Sequence, residues 1–301
     1  MLIQDAPIAS PAAPKSNDYQ QMVTQISDAK AQQQVVENIL REYGSLGDVL
    51  ERRAASDGDM VCTTWLNDKG DVETKLTFGE LHRKAGQVAA TLQANGVEPG
   101  DKVVLLYPPG VDFDLAFWGC ALAGVVSVPV YPPNPSNLKK DVPKLAHVVA
   151  DAGVKVALSV KKLHLVAKMG ALSPGVRWPN IKWIDTDSLK NDWEYEPRSG
   201  TSLEDLSYFQ YTSGSTSDPK GVVITQRNIL AQLYQYKSTV VEQMQRRNDA
   251  TAYDEFPFST AVSWLPQYHD FGLVVRLMSV YARFELIGAC ARIQQLIVLT
   301  K

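Results

Sequence analysis

Residues Tyr211 to Val222 read YTSGSTSDPKGV, a concentration of hydroxyls, glycines and one lysine between two apolar runs of strand character. This chemistry suits the oxygens of a polyphosphate. Thr212, Ser213, Ser215, Thr216 and Ser217 offer hydroxyl and amide donors, Gly214 and Gly221 permit tight backbone geometry, and Lys220 adds a mobile cation. Composition alone also allows a solvated Ser/Gly-rich turn. No glycine-lysine-serine/threonine sequence opens a helix here, and no G-x-S-x-G elbow occurs, so ordinary kinase and hydrolase readings lose their main support.

A second cluster lies at Ser263 to Leu273, SWLPQYHDFGL. His269, set among Trp264, Tyr268 and Phe271, reads either as a hydrogen-bonded core residue or as a group facing a ligand. Asp270 either orients that imidazole or caps a helix. Tyr107, Trp118 and Tyr131-Pro132-Pro133 could shape an apolar tunnel, although aromatic residues beside buried strands are more often packing. Gln226 and Asn228, after the run GVVIT, have the character of a helix entry.

The elements that must position these residues alternate along the chain. The run VCTTWL from Val61 leads to a turn at Asn67 to Gly70, and Thr77 with Glu80 then supplies a capping box for a helix. Leu81, Ala85, Val88, Ala89 and Leu92 give that helix one apolar face, and Gly96 ends it. There follow the strand KVVLLY, a helix over Val111 to Ala123, the strand VVSVPV, the loop YPPNPSN, a helix over Lys139 to Asp151, the strand VKVALSV and, after a polar connection from Asp185 to Asp205, the strand SYFQYT. Short apolar strands separated by helices predict an α/β fold: a doubly wound, largely parallel sheet with helices on both faces.

Composition narrows the function classes. The 301 residues are 45% hydrophobic and carry 33 acidic against 30 basic residues, a globular balance with no basic footprint for nucleic acid. Cys62, Cys120 and Cys290 fit neither a disulfide framework nor a zinc pattern, and the N-terminus lacks a signal peptide's basic start and apolar run. A cytoplasmic protein is expected. The uncharged stretch Leu115 to Tyr131 is divided by Gly119, Gly124 and Pro129, so no integral membrane span is expected there.

The loop at Thr212 to Gly221 resembles the phosphate-binding signature of adenylate-forming enzymes, T-S-G-S-T-G-x-P-K-G, with Ser217 in place of one glycine. The segment at Ser263 to Leu273 is similar to the W-L-P-x-Y-H-D-x-G-L segment of fatty acyl-AMP ligases, and with YPP and GDKVVLL the resemblance runs from about Leu46 to Tyr281. It implies the N-terminal portion of the large domain of an adenylate-forming enzyme. The implied reaction joins a fatty acid to AMP from ATP with Mg2+, then passes the acyl group to an acyl carrier protein or to coenzyme A. The resemblance places Thr212, Ser213, Gly214, Ser215, Thr216, Ser217, Lys220 and Gly221 on the phosphates. It also implies that His269 is the catalytic residue, placed where acyl and nucleotide pockets meet and positioning the carboxylate or phosphate without acting as a nucleophile, and Gln226 stands where many relatives have histidine. The expected organisation is a flexible segment at 1–16, an amphipathic helical extension at 17–44, a partial adenylation domain at 45–281 and a divergent tail at 282–301. The family's later Y-G-x-T-E segment, ribose-binding aspartate and small domain with its catalytic lysine are not seen, so the expectation is an incomplete fragment. The rival reading is a noncatalytic nucleotide-binding or interaction module derived from such an enzyme.

Overall fold

The computed structural model describes residues 37, 40, 43–171, 174–189, 194–198, 200–212, 219–246, 260–283 and 285–289. Tyr43–Lys301 form one compact unit. Met1–Glu42 form another, of which Glu37 and Leu40 are described, both helical. The expected N-terminal segment and most of the helical extension therefore lie outside the described residues.

In the larger unit, helix α1 (Leu46–Asp57) starts at Ser45, whose hydroxyl accepts from the Asp48 amide at 3.2 Å. Strands β1 (Val61–Leu66) and β2 (Val72–Thr77) form a hairpin. Its turn is held by the Asn67 side-chain oxygen, which accepts from the amides of Lys69 and Asp71. Helix α2 (Phe78–Ala94) opens with the expected capping box, Thr77 and Glu80 each accepting from the other's amide. Then come β3 (Lys102–Leu106), α3 (Val111–Ala123), β4 (Val126–Pro129), α4 (Leu138–Ala152), β5 (Val156–Ser159), α5 (Lys161–Gly170), β6 (Lys182–Asp185), β7 (Leu206–Thr212), β8 (Lys220–Thr225), α6 (Gln226–Arg246), β9 (Thr260–Ser263), α7 (Asp270–Ala282) and β10 (Glu285–Ala289).

Six strands make the main sheet in the order β6-β5-β3-β4-β7-β8, parallel except for the antiparallel pair β7–β8 at one edge. Val104, Leu106 and Val128 pack on Leu145, Val148 and Val149 of α4 on one face. Alternation turns Val103 and Leu105, both fully buried, to the opposite face, where α3 lies. Helices therefore cover both faces, as the alternating pattern predicts. Packed between this sheet and α1 and α2, α3 is buried nearly all round, which accounts for its uncharged run from Leu115 to Ala123. A Cβ on Gly119 would stand 2.6 Å from that of Val88, so glycine is what lets α2 and α3 approach so closely. No helix among the described residues is long and apolar enough to cross a membrane.

A second, four-stranded sheet has the order β2-β1-β10-β9, with β10 parallel to both neighbours. It brings residues 285–289, within the segment expected to be a divergent tail, between β1 and β9. Helix α7 is tied to α1 by Arg53, which donates to the carbonyls of Val280 and Tyr281 and so satisfies acceptors left over at the helix end. Gln226, at the start of α6, accepts from the Leu46 amide at 3.0 Å and is buried. Its side chain is a structural tie to α1, in keeping with a helix-entry residue.

Candidate functional site

The Ser/Gly-rich loop joins β7 to β8. In that antiparallel pair Thr212 faces Lys220 and Tyr211 faces Gly221. Thr212, Lys220 and Gly221 thus form the stem, and Ser213, Gly214, Ser215, Thr216 and Ser217 lie outside the described residues. Thr212 and Lys220 are exposed at the open end of the ladder. A Cβ on Gly221 would meet Cζ of Tyr211 at 2.8 Å, so the last glycine of the motif lets the aromatic ring lie across the ladder where it does.

The second motif turns into α7 beside this stem. Its Gln267 is buried and accepts from the Gly110 amide at 2.8 Å while donating to the Gly110 carbonyl and to Asp114, both at 2.9 Å. Asp114 also receives Arg276 of α7 at 2.8 Å, and that guanidinium lies over the Trp65 ring at 5.3 Å. Burial pushes the Asp114 carboxyl up and the Arg276 guanidinium down, outweighing the attraction between them. Gln210 of β7 donates to the Tyr268 carbonyl at 3.0 Å, and Tyr268 meets Tyr131 edge to face at 5.1 Å. Burial, and then the neighbouring Tyr131, push the Tyr268 phenol up to about 12.

These contacts fix the backbone from which His269 projects, and the imidazole itself is not in the core. His269 and Asp270 are in contact, with side chains 63% and 64% exposed. The Asp270 carboxylate also accepts from the Phe271 amide at 2.6 Å, so it serves the imidazole and the first turn of α7 together. Tyr107 and Trp118, by contrast, are packing residues: Tyr107 is buried with its hydroxyl on Thr186 at 2.8 Å, and Trp118 packs edge to face on Phe117.

Two cavities meet between these motifs. One, of about 380 Å³, is lined by Tyr131, Lys144, Thr212, Pro219 and His269 among others. The other, of about 690 Å³, is walled mainly by apolar side chains of β8, α6 and α7, including Val222, Ile224, Tyr236, Phe271 and Met278. Gln210, Thr212 and Asp270 line both. Gln210 is buried, and its side-chain oxygen has no partner among the described residues. Buried acceptors are normally satisfied, so this one is available to water or a ligand at the junction. Sequence reading missed Gln210 and Gln267, because their roles depend on partners 58 and 153 to 157 positions away. No group of three or more His, Cys, Asp or Glu side chains able to hold a metal ion occurs among the described residues.

Residues 50–288 match the family model of AMP-binding enzymes. The medium-chain-fatty-acid–[acyl-carrier-protein] ligase JamA of Moorena producens (strain JHB) is 32% identical over 237 residues, which are 77% of this chain and 37% of that protein. Disco-interacting protein 2 homolog B-A of Danio rerio is 36% identical over 186 residues, covering 60% of this chain and 12% of that one. The crystal structure of a fatty acyl-adenylate ligase from L. pneumophila, in complex with acyl adenylate and pyrophosphate, superposes with a TM-score of 0.69 at 31% identity, covering 86% of this chain and 42% of that chain. The chain spans well under half the length of each of these relatives.

Proposed function

The chain belongs to the AMP-binding enzyme family, and we propose that it supplies the phosphate-binding and acyl-binding parts of an ATP-dependent fatty acyl ligase. The supporting observation is the meeting of two unlike cavities at Gln210, Thr212 and Asp270. The smaller adjoins the stem of a loop rich in donors, with Lys144 and Lys220 as nearby cations. The larger suits an alkyl chain. A fatty acid lying across the junction has its carboxylate beside His269 and its tail against Phe271 and Met278.

In the proposed reaction a carboxylate oxygen attacks the α-phosphorus of ATP. The new bond is acyl O–P, the bond broken joins the α-phosphorus to the bridging oxygen, and pyrophosphate leaves with that electron pair. The carboxylate is already a nucleophile, so the protein's work is alignment and charge neutralisation. Lys220 and the loop donors hold phosphate oxygens, and His269 orients the carboxylate without forming a covalent bond. Magnesium would arrive on the nucleotide phosphates. The acyl group then passes to an acyl carrier protein or coenzyme A, the acceptors in the names of JamA and of the putative fatty-acid–CoA ligase fadD21 of Mycobacterium leprae (strain TN). The buried free thiols of Cys62 and Cys120 suit a cytoplasmic setting.

A second reading, a binding module that does not turn over, draws on the match to Disco-interacting protein 2 homolog B-A. The two separate in one experiment: Mg-ATP binding and fatty-acid-dependent pyrophosphate release by the purified chain, with amino acids as control substrates. The ligase reading expects release with medium or long fatty acids, and binding without release supports the module. Lys220→Ala should weaken Mg-ATP binding by about 10- to 100-fold, the loss of one charged hydrogen bond. Preference for an amino acid would sink the fatty-acid assignment, and binding indifferent to Lys220→Ala would place the nucleotide elsewhere.

A further inference from the structure

Helix α4 holds both ends of the Ser/Gly-rich loop. His147 Nε2 lies 3.1 Å from the carbonyl oxygen of Pro219, just after the loop. A carbonyl can only accept, so Nε2 is the protonated nitrogen. One helical turn further on, Asp151 Oδ2 accepts from the hydroxyl of Tyr211, just before the loop, at 2.5 Å. Positions four apart share one helix face, so a single rigid element grips both strands of the stem. Its rigidity has a source: Val148, Val149 and Ala152 of the same helix are embedded in the core under the main sheet. Burial, and then the Asp151 carboxylate, hold the Tyr211 phenol well above its ordinary range, so it remains a donor. The same ring packs across Gly221, which couples the Asp151 contact to the returning strand as well.

We propose that His147 and Asp151 are positioning residues that set the spacing and direction of the two stem ends, at Tyr211–Thr212 and at Pro219–Gly221, before a polyphosphate arrives. The proposal rests on the nucleotide reading of the loop. It makes a particular demand on coupling. If both bonds are needed to hold one geometry, releasing either end loosens the stem, and removing both costs little more than removing one.

The test uses the 301-residue chain with His147→Ala, His147→Gln, Asp151→Ala, Asp151→Asn and the double alanine variant. Three quantities are read: Mg-ATP affinity by equilibrium dialysis, amide hydrogen exchange across residues 206–225 without nucleotide, and the denaturant unfolding midpoint. Each single alanine variant should speed exchange in that stretch and weaken Mg-ATP binding by about 3- to 10-fold, the range for one hydrogen bond, with the midpoint nearly unchanged. The double variant should match the worse single. Gln can still donate to the Pro219 carbonyl and Asn can still accept from Tyr211, so both should restore most of the affinity. Wild-type exchange and affinity in both alanine variants would overturn the proposal, and so would a fall in the midpoint with faster exchange throughout the chain. Should the wild-type chain bind no Mg-ATP, the nucleotide reading fails separately. Exchange across 206–225 in the free protein then decides the clamp, faster exchange sustaining it and unchanged exchange overturning it.

Discussion

The two ends of the candidate site are held in opposite ways. Under the His269 turn, Gln267, Asp114 and Arg276 are all buried and joined by hydrogen bonds at 2.8 to 2.9 Å. The loop stem a short distance away hangs on an edge strand whose first four residues are exposed, and its polar contacts are open or only part-buried. A desolvated polar network is penalised for every further bond it loses, which disfavours other geometries. A solvent-facing stem has no such burial behind it and depends on its two bonds to α4 for its geometry. One wall is therefore fixed by burial and the other by two solvent-facing bonds, which makes the second the easier to perturb.

The largest expected effect is on the fixed wall. Asp114→Ala leaves the Arg276 guanidinium buried and unpaired, and breaking such a pair costs about 3–5 kcal/mol. Urea unfolding should show a loss of that size, whereas Asp114→Leu with Arg276→Met, which removes both charges, should recover most of it. A small loss for the single variant would mean that water reaches this network, and the contrast between the two ends would fall. Arg276 Nε and Nη2 have no hydrogen-bond partner among the described residues, and the Trp65 face beside them is the compensating contact.

An intermediate effect is expected at the second wall. In Gly221→Ala the new methyl must displace the Tyr211 ring, an overpacking that costs about 1–3 kcal/mol in a well-packed setting. Tyr211 is only half-buried, so the lower end of that range is expected, with the strain confined to β7 and β8. Chemical-shift changes limited to residues 206–225 would fit. Changes reaching Gln267 and Arg276 would show that the two ends are mechanically one.

The contrast explains what the sequence made legible. Short apolar strands, the Thr77–Glu80 capping box and the glycine stop after α2 are local signals, and each corresponds to an observed element. The loop and the His269 segment were visible because their residue types are concentrated in a few consecutive positions. The anchor was not. Gln267 and Asp114 are ordinary polar residues until the fold brings them together across 153 positions. The division into two sheets was equally hidden, because β10 joins β1 through a parallel pairing of distant segments that no local pattern announces. Helix α5 and strand β6 were passed over, since much of α5 is exposed and β6 buries only Ile184.

The smallest effect on stability is expected at His269 itself, and that small size carries information about its role. The imidazole and the Asp270 carboxylate are both more than half exposed, and exposed pairs contribute about 0–1 kcal/mol. His269 occupies the position before the first turn of α7 without a side-chain capping bond, so its removal leaves no helix amide newly unsatisfied. His269→Ala should therefore shift the unfolding free energy by no more than about 0.5 kcal/mol, as surface substitutions do. Asp270→Asn should cost slightly more, a few tenths up to about 1 kcal/mol, because a negative charge in the first turn favours the helix dipole. If ligand binding falls in His269→Ala while the unfolding midpoint stays in place, the imidazole serves the ligand and the buried anchor serves the imidazole. A loss above about 2 kcal/mol would instead assign His269 to the group whose removal disrupts packing or buried polar bonds, and the fixed wall would then extend up to the cavity itself.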